Sequence, residues 1–125
     1  MPAFYKIDKE RKLVMSTGSG VYTMADALAH QDKLLKDPDF DRSFSQLYDF
    51  THITDVELSS EDIRILARRT VFSENSRRAF LVNSDLKFGL GRMFIIFRDT
   101  LGETGIRVFR NLDDALDWVL ARDHA

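Results

Sequence analysis

Gln46-Leu47-Tyr48-Asp49-Phe50, followed across a short polar stretch by Leu58-Ser59-Ser60-Glu61-Asp62, decides the fold of this chain. The first run is rich in strand-forming side chains. In the second, Ser59 stands where a helix needs an N-cap, and Asp62 three residues on completes the capping pattern. Leu58 and Ile63 are spaced as a hydrophobic staple across that cap. A serine at such a strand-to-helix turn is either plain architecture or a switch, because a phosphate there would face the positive end of the helix.

The same alternation extends in both directions. Phe4 to Asp8 reads as a strand, Lys9-Glu10-Arg11 as a turn, and Lys12 to Thr17 as an antiparallel partner strand whose end Gly18 and Gly20 loosen. Thr23, with Asp26, caps a first helix with an inward stripe of Met24, Leu28, Gln31 and Leu35, and Asp37-Pro38-Asp39 ends it. Ser45 to Phe50 is the third strand, and Ser59 opens the second helix. Arg78 to Asn83 is the fourth strand, Ser84 caps a third helix reaching about Thr100, and Ile106 to Arg110 is the fifth strand. Asn111 caps the last helix, whose expected inward face is Leu112, Ala115, Leu116, Val119 and Leu120. The order ββαβαβαβα predicts an α/β fold: a mixed, mostly parallel five-stranded sheet with four helices and an antiparallel opening hairpin.

The 125 residues, 44% hydrophobic, suit one domain over 1–125 with its own core. A net charge of -2 gives no general pull toward nucleic acid or anionic membrane. The absence of cysteine excludes disulfides, thiolate metal sites and a cysteine nucleophile. Met1 to Lys6 lacks a basic-then-apolar signal pattern, and the apolar cluster Met93-Phe94-Ile95-Ile96-Phe97 is stopped by Arg92 and Arg98. A soluble, cytoplasmic protein without a membrane span is the expectation.

Few side chains carry a recognisable chemistry. His30, His52 and His124 are scattered without metal-ligand spacing and read as ordinary solvated or capping histidines. Ser59, His52 and Asp49 could be assembled into a triad, but no Gly-x-Ser-x-Gly elbow accompanies them. Gly89-Leu90-Gly91 falls inside the third helix rather than before a helix start, so it reads as close packing and not as a phosphate cradle. Arg64, Arg68, Arg69, Arg77 and Arg78 form an arginine-rich stretch balanced by Glu61 and Asp62, most simply a solvated face. Two helices hold more apolar residues than one face requires. Ile65, Arg69 and Phe72 lie opposite the inward stripe of the second, and Phe88, Arg92 and Ile95 opposite that of the third. Such faces suggest contact with another protein, most simply a second copy of the chain.

With this element order and Ser59 in place, the chain resembles the STAS superfamily, named for sulfate transporters and anti-sigma-factor antagonists. In that family an apolar strand ends near an Asp, and an Asp-Ser-Ser-Gly run opens a helix at a regulatory serine. Here Asp49 ends the strand and Glu57-Leu58-Ser59-Ser60 occupies the run. Ser59 falls on the phosphorylatable serine, Glu57 stands for the Asp and Ser60 for the Gly. Phe80-Leu81-Val82-Asn83-Ser84 is similar to the family's strand leading to a capped helix. Ile106-Arg107-Val108-Phe109, with Asp113, Asp114, Ala115, Leu116 and Trp118, is similar to its last strand and helix. The opening hairpin and altered serine run look most like stand-alone bacterial STAS-like proteins, which share a fold with SEC14-type lipid-binding domains.

The resemblance implies a regulatory, protein-binding module without catalytic residues or cofactor. Its expected surface combines Asp49, Glu57, Ser59, Ser60, Arg64, Ile65, Arg69 and Phe72, and its expected homodimer contact Phe88, Arg92 and Ile95. Ser59 reads chiefly as a cap, since Glu57, Glu61 and Asp62 would repel a phosphate on it. The alternative is a domain that takes a lipid or other small apolar ligand in a groove.

Overall fold

The structure, a computed structural model, describes residues 3–121. Strand β1 (Ala3–Asp8) pairs antiparallel with β2 (Leu13–Thr23), which runs directly into helix α1 (Met24–Lys36). Strand β3 (Ser45–Glu57), helix α2 (Ser60–Arg68), strand β4 (Arg78–Leu81), helix α3 (Asp85–Asp99), strand β5 (Ile106–Phe109) and helix α4 (Leu112–Leu120) follow. The sheet order is β1-β2-β3-β4-β5, and every pairing after the first is parallel. This is the mixed five-stranded α/β architecture expected from the element order.

Side chains alternate between the faces of a strand, so each strand serves two cores. Leu13, Leu47, Ala79 and Leu81 point to one face, where Ala115 and Val119 of α4 cover them. Tyr48, Phe80 and Ile106 point to the other, against Ala27 of α1, Leu66 of α2 and the half-buried Phe94 and Ile95 of α3. The first three helices thus roof one side of the sheet and α4 the other.

The boundaries depart from the sequence expectation in an instructive way. β2 does not end at Thr17: it continues to Thr23 through two register shifts, and Gly20 takes the left-handed φ of 62°. The glycines bulge the strand rather than ending it. β3 likewise continues past Phe50 to Glu57, so the stretch read as a polar loop is strand paired with β2 up to Thr23↔Glu57. β4 pairs with β3 only over Gln46–Asp49, and a two-stranded ribbon of β2 and β3 therefore projects beyond the rest of the sheet.

Helix phase was harder to anticipate than helix position. In α1 the buried residues are Ala27, His30 and Leu34, while Leu35 is exposed. His30 is therefore a core residue and not a solvated one. In α3 Leu86 is exposed, and Ile95, expected to face outward, packs on the core. In α4 Leu112 is exposed rather than inward. Gly91 does pack closely, since a Cβ there would lie 3.1 Å from Val108 Cγ2, whereas Gly89 faces open space.

Two glycines yield opposite expectations. A Cβ on Gly105 would meet the Ser76 carbonyl oxygen at 2.5 Å, and backbone cannot move aside cheaply. Gly105→Ala is predicted to destabilise the fold by about 1–3 kcal/mol. Gly89→Ala, in the open helix interior, is predicted to stabilise it by about 0.5–1 kcal/mol. Urea unfolding midpoints of the two variants check both signs.

Candidate functional site

The inward side of β3 and β4 carries Gln46, Tyr48, Arg78 and Phe80, all buried. A polar residue at an inward strand position must find partners in the interior, and here they form a chain. His30 Nε2 lies 2.9 Å from Ser16 Oγ, which accepts a bond of 3.1 Å from Gln46 Nε2. Gln46 Oε1 accepts from Arg78 Nε at 3.2 Å. Arg78 Nη1 donates to both oxygens of Glu103, at 3.1 and 3.3 Å. Arg98, from the last turn of α3, donates Nε to Glu103 Oε1 at 2.8 Å and Nη1 to the Ala67 carbonyl at 2.9 Å. The chain links β2, β3, β4 and α1 to the loop before β5 and to α3.

The Arg78 guanidinium is also surrounded by rings, with centroids at 4.7 Å (Phe72), 5.7 Å (Phe80) and 5.5 Å (Phe94). The electron-rich faces of these rings favour a cation in that slot. Burial acts to lower the Arg78 pKa, and Glu103 opposes it. Beside this cluster the Tyr22 and Tyr48 hydroxyls bond one another at 2.5 Å. Burial pushes the Tyr22 phenol up to about 12 and raises that of Tyr48 well above its usual range. His30 is held down at about 4 by burial first, then by the Arg78 and Lys33 charges, so it is neutral at pH 7.

These groups border a cavity of about 110 Å³ between the sheet and helices α1, α2 and α3. Its wall is mostly apolar, with Leu34, Phe50, Ile53, Leu66, Phe80 and Phe94, and its polar points are His30, Gln31, Gln46, Tyr48, Arg78 and Lys87. Gln31 Oε1 accepts no hydrogen bond among the described residues. An apolar pocket with a few convergent polar groups is the ordinary form of a small-molecule site.

The residues singled out from the sequence lie elsewhere. Ser59 is exposed and caps α2: its Oγ accepts from Asp62 N at 3.0 Å, and Asp62 Oδ2 accepts from Ser59 N at 3.0 Å. Such a cap contributes about 1 kcal/mol. Asp49 is turned to Thr51, accepting from its amide at 2.8 Å and its hydroxyl at 2.7 Å, with His52 Nε2 at 3.5 Å. With Ser59 committed to Asp62, the trio Ser59, His52 and Asp49 is not a triad. Glu57 and Ser60 flank the cap and are exposed. Arg64 lies 3.8 Å from Glu61 and over the Phe97 ring, Ile65 is exposed, and Arg69 pairs with Asp32 of α1.

Phe72 is a correction: it is 1% exposed and belongs to no surface. The helix ends at Arg68, the chain turns extended at Arg69, and Phe72 is redirected into the core beneath Arg78. The expected dimer contact is corrected too. Phe88 is half-buried with the Arg110 guanidinium over its ring, Ile95 is half-buried and packed on the core, and of the three Arg92 alone is exposed. Arg78 leaves the solvated arginine face for the interior. His124 lies outside the described residues. Among the described residues no cluster of three or more His, Cys, Asp or Glu could hold a metal ion, and no helix is long and apolar enough to cross a membrane.

The interior network was missed because polar residues in strands ordinarily read as outward-facing. The available signal was the two-residue period itself: Gln46 shares the register of Tyr48, and Arg78 that of Phe80.

No protein-family model matches the sequence, and no curated protein matches it. Among solved structures, the chain is similar to an uncharacterized protein of the DUF3478 family with a SpoIIAA-like fold from Shewanella loihica PV-4. The likeness has a TM-score of 0.59 at 19% identity and covers 94% of this chain and 93% of that one. The fold is therefore SpoIIAA-like, which is the STAS-like fold expected from the element order and the Ser59 turn.

Neutral burial of His30 has a consequence for acid stability. Its folded pKa of about 4 lies below the ordinary 6.5, so its contribution is complete above pH 6.5 and is lost as pH falls toward 4. By pH 4.5 this one group is predicted to remove about 2.5 kcal/mol. His30→Gln, neutral throughout, is predicted to lose that much less stability between pH 7 and pH 4.5, as measured by urea unfolding at both values.

Proposed function

We propose that this chain is a non-enzymatic binding module on the STAS-like fold, and that its binding site is the pocket between the sheet and helices α1 to α3. The observation carrying this reading is the 110 Å³ cavity itself, apolar over most of its wall and bordered by buried, oriented polar groups. The pocket is partly open to solvent, and release of water from its apolar wall favours an occupant with a hydrocarbon part. For scale, an engineered cavity of about 150 Å³ in another protein binds benzene. The ligand class supported is a small molecule with a hydrocarbon part of a few carbons.

Non-enzymatic action is supported by the site's chemistry. The serine near the histidine chain, Ser16, is buried and shared between His30 and Gln46, and among the described residues no carboxylate bonds that histidine. Among the described residues no nucleophile, base and oxyanion donors converge on an open position.

Contact with another protein is a second reading, favoured by Leu101. It is 52% exposed and lines a shallow groove between α2 and α3 with Arg64, Arg68 and Phe97. Ser59 then acts as the cap at the edge of that surface.

Each reading has its own measurement. Titration of the isotope-labelled chain with 1-hexanol is predicted to give saturable NMR shifts around Ile53, Leu66 and Phe94. Ala27→Leu, which extends a side chain into the pocket, is predicted to abolish them. Unsaturable, dispersed shifts would remove the pocket reading. For the second, wild type is predicted to sediment as a dimer and Leu101→Asp as a monomer; a monomeric wild type would remove it.

A further inference from the structure

The charges around the pocket do not cancel. Arg78 and Arg98 share one buried carboxylate, Glu103, whose Oε1 receives both guanidinium groups. Two cations against one anion leave an excess of one positive charge in this cluster. Arg98 is turned away, to the Ala67 carbonyl and Thr70. Arg78 is the member that borders the pocket.

The phenylalanine rings of the lining favour the cation but carry no net charge. Lys87 is the other ionic group on the wall, its ammonium held by the Ile53 carbonyl at 2.7 Å and Asn83 Oδ1 at 2.9 Å. Among the described residues no Asp or Glu lines the pocket. The Tyr22 and Tyr48 hydroxyls share one hydrogen between them, which leaves the other free to donate. Arg78 uses Nε for Gln46 and Nη1 for Glu103, and its Nη2 donates to none of the described residues. The three phenylalanine rings and Glu103 hold the guanidinium in place, so presenting Nη2 to a ligand costs little ordering. A cation buried without its full complement of negative charge is costly, and an anionic ligand supplies the missing charge.

Resting on the reading of the cavity as a ligand site, we propose that the pocket selects an amphipathic monoanion: a carboxylic acid with a short hydrocarbon tail. Its carboxylate meets Arg78, and its tail lies against Ile53, Leu66 and Phe94. Its one negative charge offsets the one in excess at the Arg78–Arg98–Glu103 cluster, and Lys87, held by uncharged oxygens, adds a second cation to the wall. The planar guanidinium suits a carboxylate. The cavity volume holds a tail of about four to six carbons, judged against the benzene-binding case.

The test compares three probes of equal tail length on the full chain at pH 7: sodium hexanoate, 1-hexanol and hexylammonium chloride, each titrated by NMR. Hexanoate is expected to bind at least about tenfold more tightly than 1-hexanol, the difference one charge-assisted bond provides, with hexylammonium weakest. In Arg78→Met, which leaves Arg98 and Glu103 paired one to one, the ratio of hexanoate to hexanol affinity is expected to fall to about one, with hexanol binding kept. Equal affinities for hexanoate and hexanol in the wild type would overturn the acid selectivity while leaving the pocket reading intact. So would a preference that survives Arg78→Met. If neither probe saturates, the pocket reading and this inference both fall. The wild-type comparison decides the matter even if Arg78→Met does not fold.

Discussion

Glu103 has no contact with solvent, and both its oxygens are engaged by arginines from different parts of the chain. Bringing three ionised groups out of water is expensive, and the arrangement persists only because nearly every donor and acceptor is matched. That requirement propagates outward. Arg78 must start β4 on the inward side, Gln46 must stand beside it on β3, and Ser16 and His30 must complete the row. Helix α3 must end where Arg98 can reach both Glu103 and the end of α2. The relative placement of the sheet and three of its helices follows from satisfying one carboxylate.

The fold was legible because its punctuation is local. Thr23 with Asp26 and Ser59 with Asp62 form complete capping boxes, and Ser84 and Asn111 cap the remaining helices. Caps depend on neighbours three residues away, which a sequence displays. Long-range pairing is another matter. The extension of β3 to Glu57 depends on β2 supplying a partner strand as far as Thr23. Thr51 to Glu57 is rich in β-branched residues, but its apolar Ile53 and Val56 stand three apart, without the two-residue alternation of a half-buried strand.

The site was less legible, for a related reason. A helix face can be read from apolar spacing only when apolar residues fill it, and α1 buries Ala27 and His30 instead. Phe72 looked like part of an outer helical face because the helix was continued past Arg68. Arg78 looked like one arginine among five. Its burial depends on a glutamate twenty-five positions later, and no local pattern announces that pairing. The interior polar chain thus came from tertiary matching, while the exposed Ser59 turn, so prominent in the sequence, resolved into helix architecture.

The sheet's strands lie in the order in which they occur along the chain. Each new strand therefore docks on the one made just before it, and no strand waits for a distant segment to be inserted at its side. Such a topology can grow progressively from its amino end, with each closure after the opening hairpin spanning one helix and its loops. The exception is electrical. Arg78 enters the sheet with β4, but its carboxylate partner arrives only after α3 has been completed. A chain stopped before residue 103 would hold two arginines facing the interior with nothing to neutralise them. Final locking of the core thus belongs to the last quarter of the molecule.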